Sequence, residues 1–180
     1  MAGNFKSLLF LFIIISSCST STKSIGEEVV NQNFEYFLTD LPVFPIKENL
    51  DGVIPIIVSD SITKNNFIIN YCQDNCFDKI NKEGFHIDNK TRYNEFIIES
   101  IPKQVRYSKI YLINSFEEIK LKNYIGINFY NFYINNENSK AFIIVEKIEV
   151  GGKGGTTEVY FFKNENGKWK FYKKELLLIG

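Results

Sequence analysis

The chain is short of several residue types, and each shortage closes off some chemistry. Histidine occurs once, as His86. One imidazole excludes a His-pair or HExxH metal site within a single chain. A Ser-His-Asp triad would have to use His86, which lies near Gly84 in a loop-like stretch with no nucleophile-elbow motif. Cysteine is limited to Cys18, Cys72 and Cys76. An excess of either charge is also missing, with 21 Lys plus Arg against 21 Asp plus Glu. Without a basic surplus, nothing marks a nucleic-acid partner. The apolar run at the amino terminus, Leu8–Ile15, is far short of the about 20 residues that span a bilayer. Tandem repeats and cofactor-binding motifs are absent too, so no cofactor is expected.

What remains is a composition suited to a packed core. Hydrophobic residues make up 44% and aromatics 16% of the 180 residues, which excludes a disordered chain and implies one domain.

The first residues set an address. Met1–Ser7 is a short polar start with one positive charge, Lys6, and Leu8–Ile15 has the proportions of a secretory apolar segment. Ile15-Ser16-Ser17-Cys18 then resembles the lipobox of bacterial lipoproteins: an aliphatic residue, two small residues and Cys. The resemblance implies cleavage before Cys18 and a lipid on its sulfur, the strongest nucleophile available for a thioether. One acyl chain anchors only marginally, whereas the several chains of the lipoprotein family hold a protein at the membrane. Ser19 stands where the family's inner-membrane retention signal is usually Asp. The expected location is therefore the cell envelope, on the periplasmic side of an outer membrane, with surface exposure as the alternative. On this reading residues 1–17 are a signal peptide, 18–26 a lipidated Cys with a polar tether, and 27–180 one globular domain. Removing Lys6 from the 21 bases leaves 20 against 21 acids, a net charge of −1.

Apolar spacing at Val29, Val30, Phe34, Phe37 and Leu38 predicts a helix over Glu27–Leu38, with Glu27 and Glu28 favoured at its start by the helix dipole. Pro42, Pro45 and Gly52 then make an extended connector. Val53–Val58 reads as a short buried strand. The following stretch is ambiguous: either Asp60 or Ser61 caps a helix carrying Ile62, Phe67, Ile68 and Tyr71, or Asn66–Tyr71 is itself a strand. Later segments are plainer. "SKIYLIN" is strand-like. "NYIGINFYNFYIN", "KAFIIVEKIEV", "TTEVYFFK" and "KWKFYKKELLLIG" follow as four strand-like runs with short connections, hence antiparallel neighbours. Asn166-Gly167 is the strongest short hairpin signal. Trp169 and Phe171 alternate with lysines, whereas "AFIIV" is apolar on both faces, so the middle strands are covered on both sides. The expected fold is α+β: an amino-terminal helix packed on a carboxy-terminal antiparallel sheet of about four strands. That order resembles the small cystatin-like and NTF2-like domains. The ending "VYFFKNENGKWKFYKKELLLIG" is similar to the ends of small Bacteroidetes-type lipoproteins.

Few residues offer chemistry. Cys72 and Cys76 are expected to pair in an oxidising compartment, on a turn or frayed helix, since a spacing of four on a regular helix strains the bridge. The alternatives are free thiols, or a metal site recruiting Asp74 and His86, for which a second Cys pair is missing. "GGKGGTT" fails the phosphate-loop spacing and reads as a hairpin loop, with Lys153 as its only charge for a ligand. Glu146 shares a strand face with Phe142, Ile144 and Ile148, and an acid on an apolar face suits acid–base work or ligand recognition. Its bland alternative is a solvent-exposed strand end or a partner for a lysine. Tyr124, Tyr130, Tyr160 and Tyr172 are candidates for the same surface. Together these point to a membrane-anchored module that binds a small ligand or a protein. The alternatives are a small NTF2-like enzyme using Glu146, disfavoured by one His and no acid pair, and a toxin-immunity lipoprotein. A closed pocket with Glu146 buried beside tyrosines would favour catalysis or a small ligand; a filled core with Glu146 in solvent would favour protein contact; a toxin gene beside this one would favour immunity.

Overall fold

The computed structural model describes residues 21–41, 54–88, 90–105, 108–114, 119–121, 124–150 and 153–180; the side chains of 69, 71–75, 105, 108, 150 and 153 are outside that description. The predicted anchor at Cys18 and the connector with Pro42, Pro45 and Gly52 lie outside it as well.

Helix α1 spans Thr22–Gln32 and begins earlier than its apolar spacing predicts, inside the segment assigned to the tether. The reason is the cap: the Ser21 side chain accepts from Ser24 N at 3.2 Å, and Ile25 then joins Val29 and Val30 on the buried face. A single helix to Leu38 does not form. Asn33 leaves the helical ladder, and a four-residue helix α2, Phe34–Phe37, follows it. The buried Asn33 amide donates to Val29 O and to Trp169 O, and its oxygen accepts from Phe171 N at 2.8 Å. Gln32 Oε1 accepts from Trp169 N. The helix break thus covers backbone groups on the last strand of the sheet, an edge otherwise open to pairing.

Strand β1 is Ile56–Thr63, and α3 runs Asn66–Asn81. Asn65 caps α3 by accepting from Ile68 N at 3.1 Å, so neither sequence alternative for this stretch holds as stated. Two short strands, β2 (Phe96–Ile97) and β3 (Gln104–Val105), precede β4 (Ser108–Ile113). Four long strands complete the chain: β5 Tyr124–Ile134, β6 Lys140–Val150, β7 Lys153–Glu165 and β8 Lys168–Ile179.

The four long runs form the expected antiparallel meander. The β7–β8 turn is Asn166-Gly167, both at positive φ (56° and 79°), as a two-residue hairpin requires. The sheet is larger and more mixed than predicted. Among the described residues it has eight strands, in the order β3-β4-β1-β5-β6-β7-β8, with β2 pairing the far end of β1. Strand β1 runs parallel to both β4 and β5. Local apolar patterning reveals a strand but not its partner, so this part of the topology is set by long-range packing.

The sheet lies between two layers. Ile25, Val29, Phe34 and Phe37 of α1–α2 pack on Ile127, Phe129, Ile143, Val145, Tyr160 and Phe162. On the opposite face, Ile68, Cys76 and Ile80 of α3, with Phe85 and Ile87, pack on Phe142, Ile144, Val159 and Phe161. Both faces of β6 are therefore buried, which is why its sequence is apolar at consecutive positions. Among the described residues no helix is long and apolar enough to cross a membrane.

Candidate functional site

Strand alternation sends consecutive residues of β6 to opposite layers. Glu146 goes to the α3 face and Lys147 to the α1–α2 face. Their cross-strand neighbours follow: Glu146 lies between Asn128 and Thr157, and Lys147 between Ile127 and Thr156.

On the α3 face, Glu146 is half-buried. Asn128 Nδ2 and Tyr130 OH both donate to the same oxygen, Oε2, at 3.0 and 3.2 Å. No hydrogen bond from a described residue engages Oε1. Burial, together with the neighbouring Glu146 charge, pushes the Tyr130 hydroxyl well above the ordinary tyrosine value, so it remains a donor at neutral pH. The carboxylate opens onto a cleft of about 550 Å³ where β6, β7 and β8 end. Phe67, Ile148, Leu178 and Ile179 form its apolar walls, and Gly154 and Gly155 its rim. The size lies within the ordinary range for small-molecule sites.

Local structure builds this cleft. Asn131 adopts a positive φ of 52° in a β5 irregularity, and its side-chain oxygen accepts from Asn65 N at 2.9 Å. That bond holds the start of α3 against the sheet and thereby sets Phe67 beside the cleft. At the rim, a Cβ on Gly155 would sit 2.7 Å from the Lys147 carbonyl oxygen, so only glycine admits this close strand approach. Gly155 also exchanges two backbone bonds with Gly180, at 3.2 and 3.0 Å. Two further clefts, about 650 and 680 Å³, flank β4; Glu99 lines both, and its carboxylate is already paired with the Lys23 ammonium at 2.6 Å.

The opposite face shows a different use of charge. Lys147 is fully buried; its ammonium donates to Thr39 O at 2.6 Å and to Tyr160 OH at 2.7 Å, and pairs with Glu158 Oε2 at 2.9 Å. Tyr160 OH donates to Glu158, and Lys174 bridges Glu158 and Asp40. Burial pushes the Lys147 ammonium down against the opposing pull of Glu158. Burial also pushes the Glu158 carboxyl up, but the hydrogen bonds from Lys174 and Lys147 outweigh it and hold the group below its usual range. This cluster ties the end of α2 to the sheet. Further along the same face, Glu149 is buried with neither carboxyl oxygen hydrogen-bonded, beside an equally unpartnered Thr156 hydroxyl.

The predicted site residues therefore divide. Glu146 and Tyr130 meet as expected. Tyr124 shares their face and is buried. Tyr160 does not: it points into the other layer and serves the Lys147 cluster. Tyr172 is also elsewhere, exposed on β8 with the Lys163 ammonium 3.4 Å above its ring. The β7–β8 register shift between Phe161 and Phe162 takes Tyr172 out of simple alternation. Lys153 begins β7 rather than a loop, and its side chain is outside the described set. Cys76 is buried in a disulfide, and Cys72 lies on α3 with its side chain outside that set. His86 is exposed after α3. Among the described residues no cluster of His, Cys, Asp and Glu could hold a metal.

Sequence reasoning missed Asn128, Phe67 and the Lys147–Glu158 pair. Asn128 carried a legible signal, a lone amide at even spacing from Tyr124 and Tyr130 in an aromatic run. Phe67 carried none, because its role depends on where α3 docks. Comparison with family models, curated proteins and solved structures finds no match to this chain.

Proposed function

We propose that this chain is a cell-envelope lipoprotein, anchored through a lipid on Cys18, whose folded domain binds a small ligand in the cleft beside Glu146. The observation that carries the binding reading is the carboxylate itself. Two donors hold one of its oxygens, the other takes no hydrogen bond from a described residue, and the residue lines a cleft with apolar walls. A site built this way recognises a molecule by one polar contact and an apolar body. The supporting residues around it are an amide and a phenol, neither of which is a general base at neutral pH. Binding is therefore favoured over an enzyme using Glu146. The leading helix and four-strand meander support a likeness to cystatin-like and NTF2-like domains, from which the parallel β1 departs.

The address rests on Ile15-Ser16-Ser17-Cys18, with Ser19 favouring the periplasmic face of an outer membrane. Mass spectrometry of the native amino terminus is expected to find Cys18 first, carrying diacylglycerol. A native chain that starts at Met1 and fractionates with the cytosol overturns the anchor. For binding, a fragment screen followed by Ile-methyl NMR is expected to move Ile148 and Ile179 ahead of other isoleucines. Hits scattered over the surface, with those two methyls unmoved, overturn the cleft as the site.

A further inference from the structure

We infer that the cleft takes an amphipathic amine, a ligand with an alkyl or aryl body and a protonated nitrogen, with Glu146 as the counter-ion. The inference rests on the binding reading above and adds the chemical class. Three observations converge on it.

The first is the polarity of the lining. Glu146 and Glu149 both border the cleft, and no lysine or arginine is among its described lining residues. An anionic ligand would meet the Glu146 carboxylate, which no cation among the described lining residues offsets, and like charges at close range repel strongly in a low-dielectric site. The second is the state of Glu146: it has an oxygen that no described residue hydrogen-bonds. Buried acceptors without donors are costly, and an ammonium supplies three donors together with the missing charge. The third is the apolar lining. Phe67 and Ile179 are 71% and 77% exposed, the highest values among the large hydrophobic side chains described, and both line this cleft. Single exposed apolar residues are unremarkable, but two at one cleft mark a surface that an apolar body would cover. A neutral sugar would use neither this surface nor the charge of Glu146.

The test uses three probes of equal chain length on the full chain at neutral pH: hexylammonium, hexanol and hexanoate. The Ile148 and Ile179 methyl signals report occupancy. Hexylammonium is expected to bind about tenfold more tightly than hexanol, the scale of one charge-assisted hydrogen bond. Hexanoate is expected to bind weakest. Glu146→Gln should bring hexylammonium to within about threefold of hexanol, while Phe67→Ala weakens both probes alike. If all three probes shift the cleft methyls with equal affinity, or if Glu146→Gln leaves the preference intact, the amine assignment is wrong and the cleft remains a site. If no probe shifts those methyls, both readings fall. The ranking on the unaltered chain decides the question even where Glu146→Gln fails to fold.

Discussion

Glu146 and Lys147 are neighbours in the chain and opposites in the structure. Lys147 lies in the α1–α2 layer, where Thr39, Tyr160 and Glu158 all engage its ammonium. Glu146 lies in the α3 layer, where both donors go to one oxygen and the residue lines a cleft. On the proposed reading, the difference separates charges that hold the fold from one that is available to a ligand. A buried ion with a full set of partners is already neutralised and can only lose by change. A carboxylate with an unused oxygen beside a cavity still has binding capacity. Tyr160 and Tyr130 repeat the contrast. Each donates to a glutamate, one inside a closed cluster and the other at the wall of an open site.

The largest effect should come from breaking the closed cluster. Glu158→Gln leaves Lys147 charged and buried, and is expected to cost about 3–5 kcal/mol in urea unfolding, the usual result of removing one partner from a buried pair. Its pH dependence has a definite sign. Glu158 titrates below the carboxylate range in the folded chain, so its stabilisation is full above the unfolded value, about 4.3, and disappears as pH falls through the depressed folded value. The gap in stability between the unaltered chain and Glu158→Gln should therefore be constant from pH 6 to 7 and narrow below about pH 4. A gap that widens on acidification contradicts the assignment.

Next in size is the covered edge of the sheet. Asn33→Ala strips Trp169 O and Phe171 N of their partners and should cost about 1–3 kcal/mol. It also exposes backbone groups on β8, so sedimentation should reveal more self-association than the unaltered chain shows. An unchanged urea midpoint together with a monomeric variant would show that the helix break has no role at the edge.

The smallest stability effect should belong to Glu146→Gln. The amide keeps an acceptor for Asn128 and Tyr130, and the change should stay within about 0.5 kcal/mol in the same urea assay. A loss comparable to Glu158→Gln would erase the distinction between the two layers and make Glu146 another structural charge.

Legibility followed the range of the interaction. The meander could be read because alternation and the Asn166-Gly167 turn act within a few residues. The face shared by Glu146, Phe142 and Ile144 followed from period two alone. The start of α1 was misplaced because its signal is one serine hydroxyl rather than an apolar stripe. The break at Asn33 could not be seen, since its cause lies 136 and 138 residues away in β8.

Composition and local pattern were enough to indicate a core-forming α+β chain, four carboxy-terminal strands and one acid on an apolar face. These depend on side-chain volume, backbone preference and strand periodicity, which every short window of the chain carries. Only the folded chain decided that β1 runs parallel between β4 and β5, that Tyr160 and Tyr130 part to opposite layers, and that Phe67 joins Glu146 at one cleft. Those outcomes depend on which distant surfaces bury each other, a quantity that no local window contains.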